Sequence, residues 1–337
     1  MELWIPQARL ARLLSVCLLC MALVACGGGG GGASVTHTHF IVVNSDAGGV
    51  PNQPSVATFD RGDQGDTAPE LSISGAHTGL DGGASQSVAI TNNEIFVANP
   101  QIASITVYSA AANGDMMPAA TIAGANTGLM RPVGLASTGG KLYVSDAAAN
   151  AIVIFNSTDS GNTAPTATIV GPSTMLSGPQ GIAVDNSGNL FVANTGNADV
   201  LMFAASASGN APPSATISGP LTQLVKPVAV ALDGHGNVLV SDDGGKPDVL
   251  LFFNAAANGN VAPDRTISGA ATTLHAPGAI ALDAGGRIVV ANTASDSIVV
   301  FPAGSSGNQP PEEMIQGATT ALSSPVGLAV VTVEGPP

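Results

Sequence analysis

The chain has 337 residues, 45% of them apolar and only 9% charged, against roughly 25% charged in an ordinary soluble domain. The length is ample for a sizeable core, and so low a charge density excludes a charge-driven disordered chain. The 42 glycines and 23 prolines follow no three-residue period, which excludes a collagen and implies frequent turns, while a net charge of −14 argues against nucleic acid as a partner.

At the start of the chain, Arg9 and Arg12 precede an apolar run from Leu13 to Ala25. Thirteen residues are too few to span a bilayer and suit the hydrophobic stretch of a signal peptide, assigned to residues 1–25. The run ends Leu23-Val24-Ala25-Cys26, which resembles a bacterial lipobox. That resemblance implies cleavage before Cys26 and a diacylglycerol on its thiol; an ordinary cleaved signal is the alternative. Cys17 and Cys20 would be discarded with the signal, leaving one cysteine and no disulfide within the chain. Cleavage also removes two arginines and Glu2, so the mature charge is −15 and anionic headgroups repel the body. Membrane affinity must then come from the acyl chains, at about 0.8 kcal/mol per buried methylene. Residues 26–39 read as a flexible tether built on Gly27 to Gly32, ending in His37 and His39. Two imidazoles without further ligands make a weak metal site, so a mobile tail is the expectation here.

From Phe40 onward one unit recurs. Its mark is a strand-closing glycine at Gly75, Gly124, Gly171, Gly219, Gly269 and Gly317, spaced 47 to 50 residues apart. A phrase of the form Gly161-Asn162-Thr163-Ala164-Pro165 precedes each one, and a Thr and a Leu follow at fixed distance, as in Thr127 and Leu129. Within a unit the pattern predicts four short strands: Gly181 to Asp185, Asn189 to Asn194, Val200 to Phe203 and Ala215 to Ser218 in the fourth copy. Four strands recurring at this period define a propeller blade. No window beyond the signal segment has helical periodicity.

The third strands end in Phe59, Tyr108, Phe155, Phe203, Phe252 and Phe301. Recurrence once per blade assigns them to packing between sheets rather than to a stacking platform for ligands. The second strands end in Asn44, Asn99, Asp146, Asn194, Asp242 and Asn292, residues that favour bonds to the backbone of the following turn. The first unit lacks an innermost strand, and Pro325 to Val330 supplies a spare one at the other end of the chain. The expected fold is therefore all-β: a six-bladed propeller of four-stranded blades over residues 40–333, closed by pairing of the C-terminal strand with the first blade, with 334–337 as a tail.

The phrase from Pro179 to Asn194 resembles an NHL repeat, with weaker copies at Pro132, Pro227, Pro277 and Pro325. NHL repeats often carry a basic residue before the third strand; here Ser104, Ala151, Asp199, Asp248 and Ser297 stand instead, so no basic face for RNA is implied. Lactone-hydrolysing propellers of the gluconolactonase type are similar in architecture and hold a divalent metal where the innermost strands begin. The corresponding residues are Gln86, Val133, Gln180, Val228, Gly278 and Val326, none a carboxylate. His77, His235 and His275 sit in loops of different units without a repeating partner, and no serine lies in a nucleophile elbow. Asp242, Asp243 and Asp248 share one loop, longer by a residue than its counterparts, and are weak metal candidates without EF-hand spacing.

The resulting expectation has no catalytic residue and no cofactor. It is a lipid-anchored module of a bacterial cell envelope, with the outer membrane as address, that binds or scaffolds an envelope protein or another extracytoplasmic ligand. The alternative is a metal-dependent lactonase-like hydrolase or lyase at the channel mouth. A purely structural surface protein is the third class.

Overall fold

The computed structural model describes residues 35–45, 54–82, 87–245 and 248–335. The signal segment, Cys26, the polyglycine stretch and Gln86 lie outside the described residues. Six four-stranded antiparallel sheets form the ring. In blade 4 the strands run Pro179–Val184, Leu190–Asn194, Asp199–Phe203 and Ala215–Ile217, in that order from the axis outward. β-Branched residues dominate them, and Pro179 stands at the start of the innermost strand, where no ladder bond is lost.

Blade 1 is completed from both ends of the chain. Its order is Pro325–Gly335, Val35–Asn44, Ser55–Asp60 and Leu71–Ser74. Closure by the C-terminal strand thus holds as expected, but the paired ladder is longer than the sequence implied. It runs from Asn44 opposite Pro325 to Val35 opposite Gly335. Residues 35–39, expected in a mobile tail, are strand, because eleven consecutive residues of the C-terminal strand give them a partner.

Each core lies between neighbouring sheets. Phe96 and Ala98 of blade 2 pack with Leu142, Val144 and Phe155 of blade 3, and five further clusters fill the other interfaces. The recurrent aromatic does serve packing: Phe59, Tyr108, Phe155, Phe203 and Phe301 are buried. Blade 5 needs a one-residue correction. Val238 pairs with Phe253 as Leu190 pairs with Phe203 and Ile288 with Phe301, so Phe253 holds the position assigned to Phe252. Asp242 pairs with Val249, seven residues on, where Asn194 pairs with Asp199 and Asn292 with Ser297, five on, so the loop is longer by two residues and not by the one expected. Phe252 faces the next interface, with the Arg265 guanidinium 3.6 Å from its ring centre.

Two recurring sequence marks acquire a mechanical meaning. After each closing glycine the chain makes a tight turn whose threonine is buried. Thr272 Oγ1 donates to Gly269 O at 2.7 Å and accepts from Leu274 N at 3.3 Å. Replacing Thr272 by valine keeps the shape and strands both partners, so a loss of about 1–2 kcal/mol is expected in urea unfolding. An unchanged midpoint would show that the turn holds without its hydroxyl. The Gly-Asn phrase, in turn, latches each blade to its predecessor. Asn162 Oδ1 accepts from Asn126 N, Asn210 Oδ1 from Ser173 N, and Asn308 Oδ1 from Ala271 N, each at 2.7 Å. Asp66 accepting from Thr319 N carries the same latch across the closure.

Candidate functional site

The strand directions give the ring two unlike faces. Pro179 opposite Asn194, and Asn194 opposite Asp199, put the starts of the inner strands and the second-to-third turns on one face, the upper. The lower face carries the turns between inner and second strands.

The upper loops are held by the polar residues that end the second strands, all fully buried. Asp146 accepts from Met130 N at 2.7 Å and Arg131 N at 3.0 Å, and Asp242 from Val225 N at 2.8 Å and Lys226 N at 3.1 Å. Asn99, Asn194 and Asn292 accept from Asp81 N, Ser177 N and His275 N. These partners lie mainly in the loop that enters the blade from its predecessor, not in the following turn as expected. Asp146 to Ala149 N and Asp242 to Gly244 N are bonds of the expected kind. The loop precedes the strand in sequence by a whole hairpin, so spacing alone conceals it.

A cavity of about 240 Å³ opens on the axis of this face. Val133, Gln180, Val228, Gly278 and Val326 line it as the repeat register predicts, with Ser87, Thr195, Thr293, Lys226 and Asp243. Its carboxylate, Asp243, is engaged by Lys226 Nζ at 2.7 Å. The three acids of the long loop are not gathered on one point. Asp242 is spent on backbone amides, Asp243 on Lys226, and Asp248 accepts from Ala276 N at 3.0 Å.

Large apolar side chains are distributed unequally between the faces. Ile102, Met130, Val170, Met175, Leu221 and Val225 are exposed at the upper ends of blades 2 to 5, and Met116 and Met117 on the rim beside them. Val225 is 56% exposed and Met130 62%. The lower face instead has a groove of about 650 Å³ between blades 5 and 6, lined by Asp233, His235, Asp264, Arg265 and Asp283 among others.

The lower face also holds the one group of three metal-ligating types among the described residues: His39, Asp60 and Glu70, with ligand atoms within 4.8 Å of one another. His39 is on the second strand of blade 1, Asp60 ends the third, and Glu70 directly precedes the fourth. Their side chains are 6%, 17% and 7% exposed. Burial raises the Glu70 carboxyl, helped by the neighbouring Asp60 charge, up to about 7. Burial opposes the His39 imidazolium, yet the Asp60 carboxylate at 2.8 Å outweighs it and holds the pKa above the usual value. Asp60 is itself held low: burial would raise it, and His39 more than compensates. Sequence reading stopped at His37 and His39. The missing signal was strand length, since a second strand begun at Val35 brings His39 opposite Asp60.

Comparison with known proteins agrees with this architecture. Residues 176–203 match the NHL repeat. No curated protein sequence matches the chain. Among solved structures, a chain of a nidogen/laminin complex is similar over 87% of this chain and 98% of that one, at 15% identity and a TM-score of 0.60. A protein of unknown function from Bacteroides caccae matches over 88% and 99%, at 12% identity and 0.57. A functionally unknown protein from Desulfotomaculum acetoxidans matches over 87% and 98%, at 12% and 0.56. The chain is a six-bladed β-propeller, one segment of which matches the NHL repeat.

Proposed function

We propose that this propeller is a binding module of a bacterial cell envelope, lipid-anchored at Cys26, whose upper face docks an envelope protein. The observation that carries the reading is the collection of exposed Met, Leu, Ile and Val side chains on that face. Isolated exposed apolar residues are ordinary, whereas several on one face mark an interaction surface. Methionine adapts to irregular partners, and loops pinned by buried Asp and Asn present it in a fixed frame. The mature charge of −15 weighs against nucleic acid and anionic lipid for that surface. One structurally similar chain was solved in a protein complex, which supports a protein as the kind of partner.

The test is affinity capture from detergent-solubilised envelope with the acylated chain as bait, alongside Met130→Glu/Val225→Glu and a lower-face control, His235→Ala. A specific protein retained by the parent chain and the control, and lost by the double variant, is the expected outcome. Equal capture by all three baits would sink the docking face. Anchoring is tested separately by Cys26→Ser, which should move the protein from the membrane pellet to the soluble fraction; retention in the pellet would refute lipidation.

A further inference from the structure

We propose that His39, Asp60 and Glu70 bind a divalent transition-metal ion of the zinc type, clamping three strands of the blade that closes the ring. One imidazole nitrogen with carboxylate oxygens is a donor set suited to zinc, and also to manganese; calcium and magnesium prefer all-oxygen shells.

The three side chains stand close enough together to share one ion. His39 Nδ1 lies 2.8 Å from Asp60 Oδ1 and 3.7 Å from Glu70 Oε2. Metal bonds of roughly 2.0–2.1 Å in tetrahedral array put ligand atoms about 3.3 Å apart, between these two distances. His39 Nδ1 meets Asp60 Oδ1 at close range, whereas no N–H group or hydroxyl donates to either oxygen of Glu70, which faces the Asp60 carboxyl and the imidazole. Glu70 is thus a carboxylate more than nine-tenths buried, aimed at an imidazole and a second carboxylate, with no N–H group or hydroxyl donating to it. A buried carboxylate in that condition calls for a cation or a proton.

Blade 6 shows how the same register is balanced by a side chain. Arg287 stands five residues before Asn292, as His39 stands five before Asn44. Glu312 there corresponds to Glu70, each five residues before its closing glycine. Arg287 donates to Asp283 Oδ2 at 2.8 Å, Glu312 Oε1 at 3.2 Å and Glu313 Oε1 at 3.0 Å. Blades 2, 3 and 4 avoid the problem with Ala119, Thr166 and Ser214 at the Glu70 position, and Asp264 of blade 5 is exposed. Blade 1 alone combines a buried acid with a residue that ligates metals, and Asp63, also buried, adds a further carboxylate nearby.

The experiment uses the full chain stripped with chelator and dialysed. Zinc should then bind at one equivalent per chain by mass spectrometry and raise the melting temperature by about 5 °C at 100 times its dissociation constant. Cobalt(II) should give the intense visible bands of a tetrahedral site. Glu70→Gln and His39→Ala should lose stoichiometric binding, the shift and the bands, whereas His37→Ala and His235→Ala should keep them. Manganese in place of zinc with the same dependence on Glu70 would also support the site. Calcium should shift the melt little. Substoichiometric metal on the parent chain would overturn the proposal regardless of how the variants fold, and would leave a proton shared between Asp60 and Glu70. A zinc shift that survives both Glu70→Gln and His39→Ala would overturn it equally.

Discussion

Removing residues 325–337 is expected to abolish cooperative melting of the whole ring. The lost strand pairs with the second strand of blade 1 from Val35 to Asn44 and places Leu328 in the core shared with blade 6. Thr293 Oγ1 also loses its acceptor, Pro325 O. At about 1 kcal/mol for each ladder bond, with Leu328 in addition, the loss reaches several kcal/mol. Domains of this kind are stable by only about 5–15 kcal/mol, so little or nothing remains. The uncovered second strand would then be a long, apolar edge, and aggregation should accompany unfolding. Circular dichroism melting with light scattering checks this; a truncated chain that melts with the parent would show that blade 1 does not need its inner strand.

The second large effect is expected at a closing glycine. Gly171 has φ +126°, a conformation essentially reserved for glycine, and a Cβ there would stand 2.5 Å from Asn210 Oδ1. Gly171→Val therefore strains the backbone and displaces the latch that holds Ser173 N, for a combined cost of about 3–4 kcal/mol. Gly209, one residue before the same latch, is the matched control. Its φ is +61° and nothing lies within 4 Å of a Cβ added there. Asparagine tolerates that left-handed region, so Gly209→Asn should change stability by no more than about 1 kcal/mol. Urea unfolding of the two variants separates a conformational requirement from a packing one, and equal losses would refute the distinction.

What was legible in the sequence was whatever repeats. Six closing glycines and the second-strand Asn and Asp residues recur because each blade solves one local problem, and local problems leave marks at fixed spacing. Roles that depend on contact between blades left only half a mark. Asn162 stood in a visible phrase, but its partner Asn126 is 36 residues earlier, across an interface that a period cannot orient. Phe253 was misassigned for a simpler reason: the loop after Asp242 carries two inserted residues, and the count allowed for one. The cluster at His39, Asp60 and Glu70 was hidden because it breaks the repeat. No other blade has its combination of side chains, and its assembly depends on pairing His39 with Asp60 in a strand whose start was placed five residues too late.

The length of that first strand also fixes a direction. The second strand of every blade runs from the lower face to the upper, so Val35, at its beginning, projects from the lower side, paired with Gly335. Nine peptide steps separate it from Cys26, a reach of at most about 30 Å. With Cys26 acylated as proposed, the propeller would stand on the bilayer like a table on a single leg. The metal-ligating trio would lie close to the leaflet, and Met130 and Val225 would be turned outward, within reach of partners that never touch the lipid.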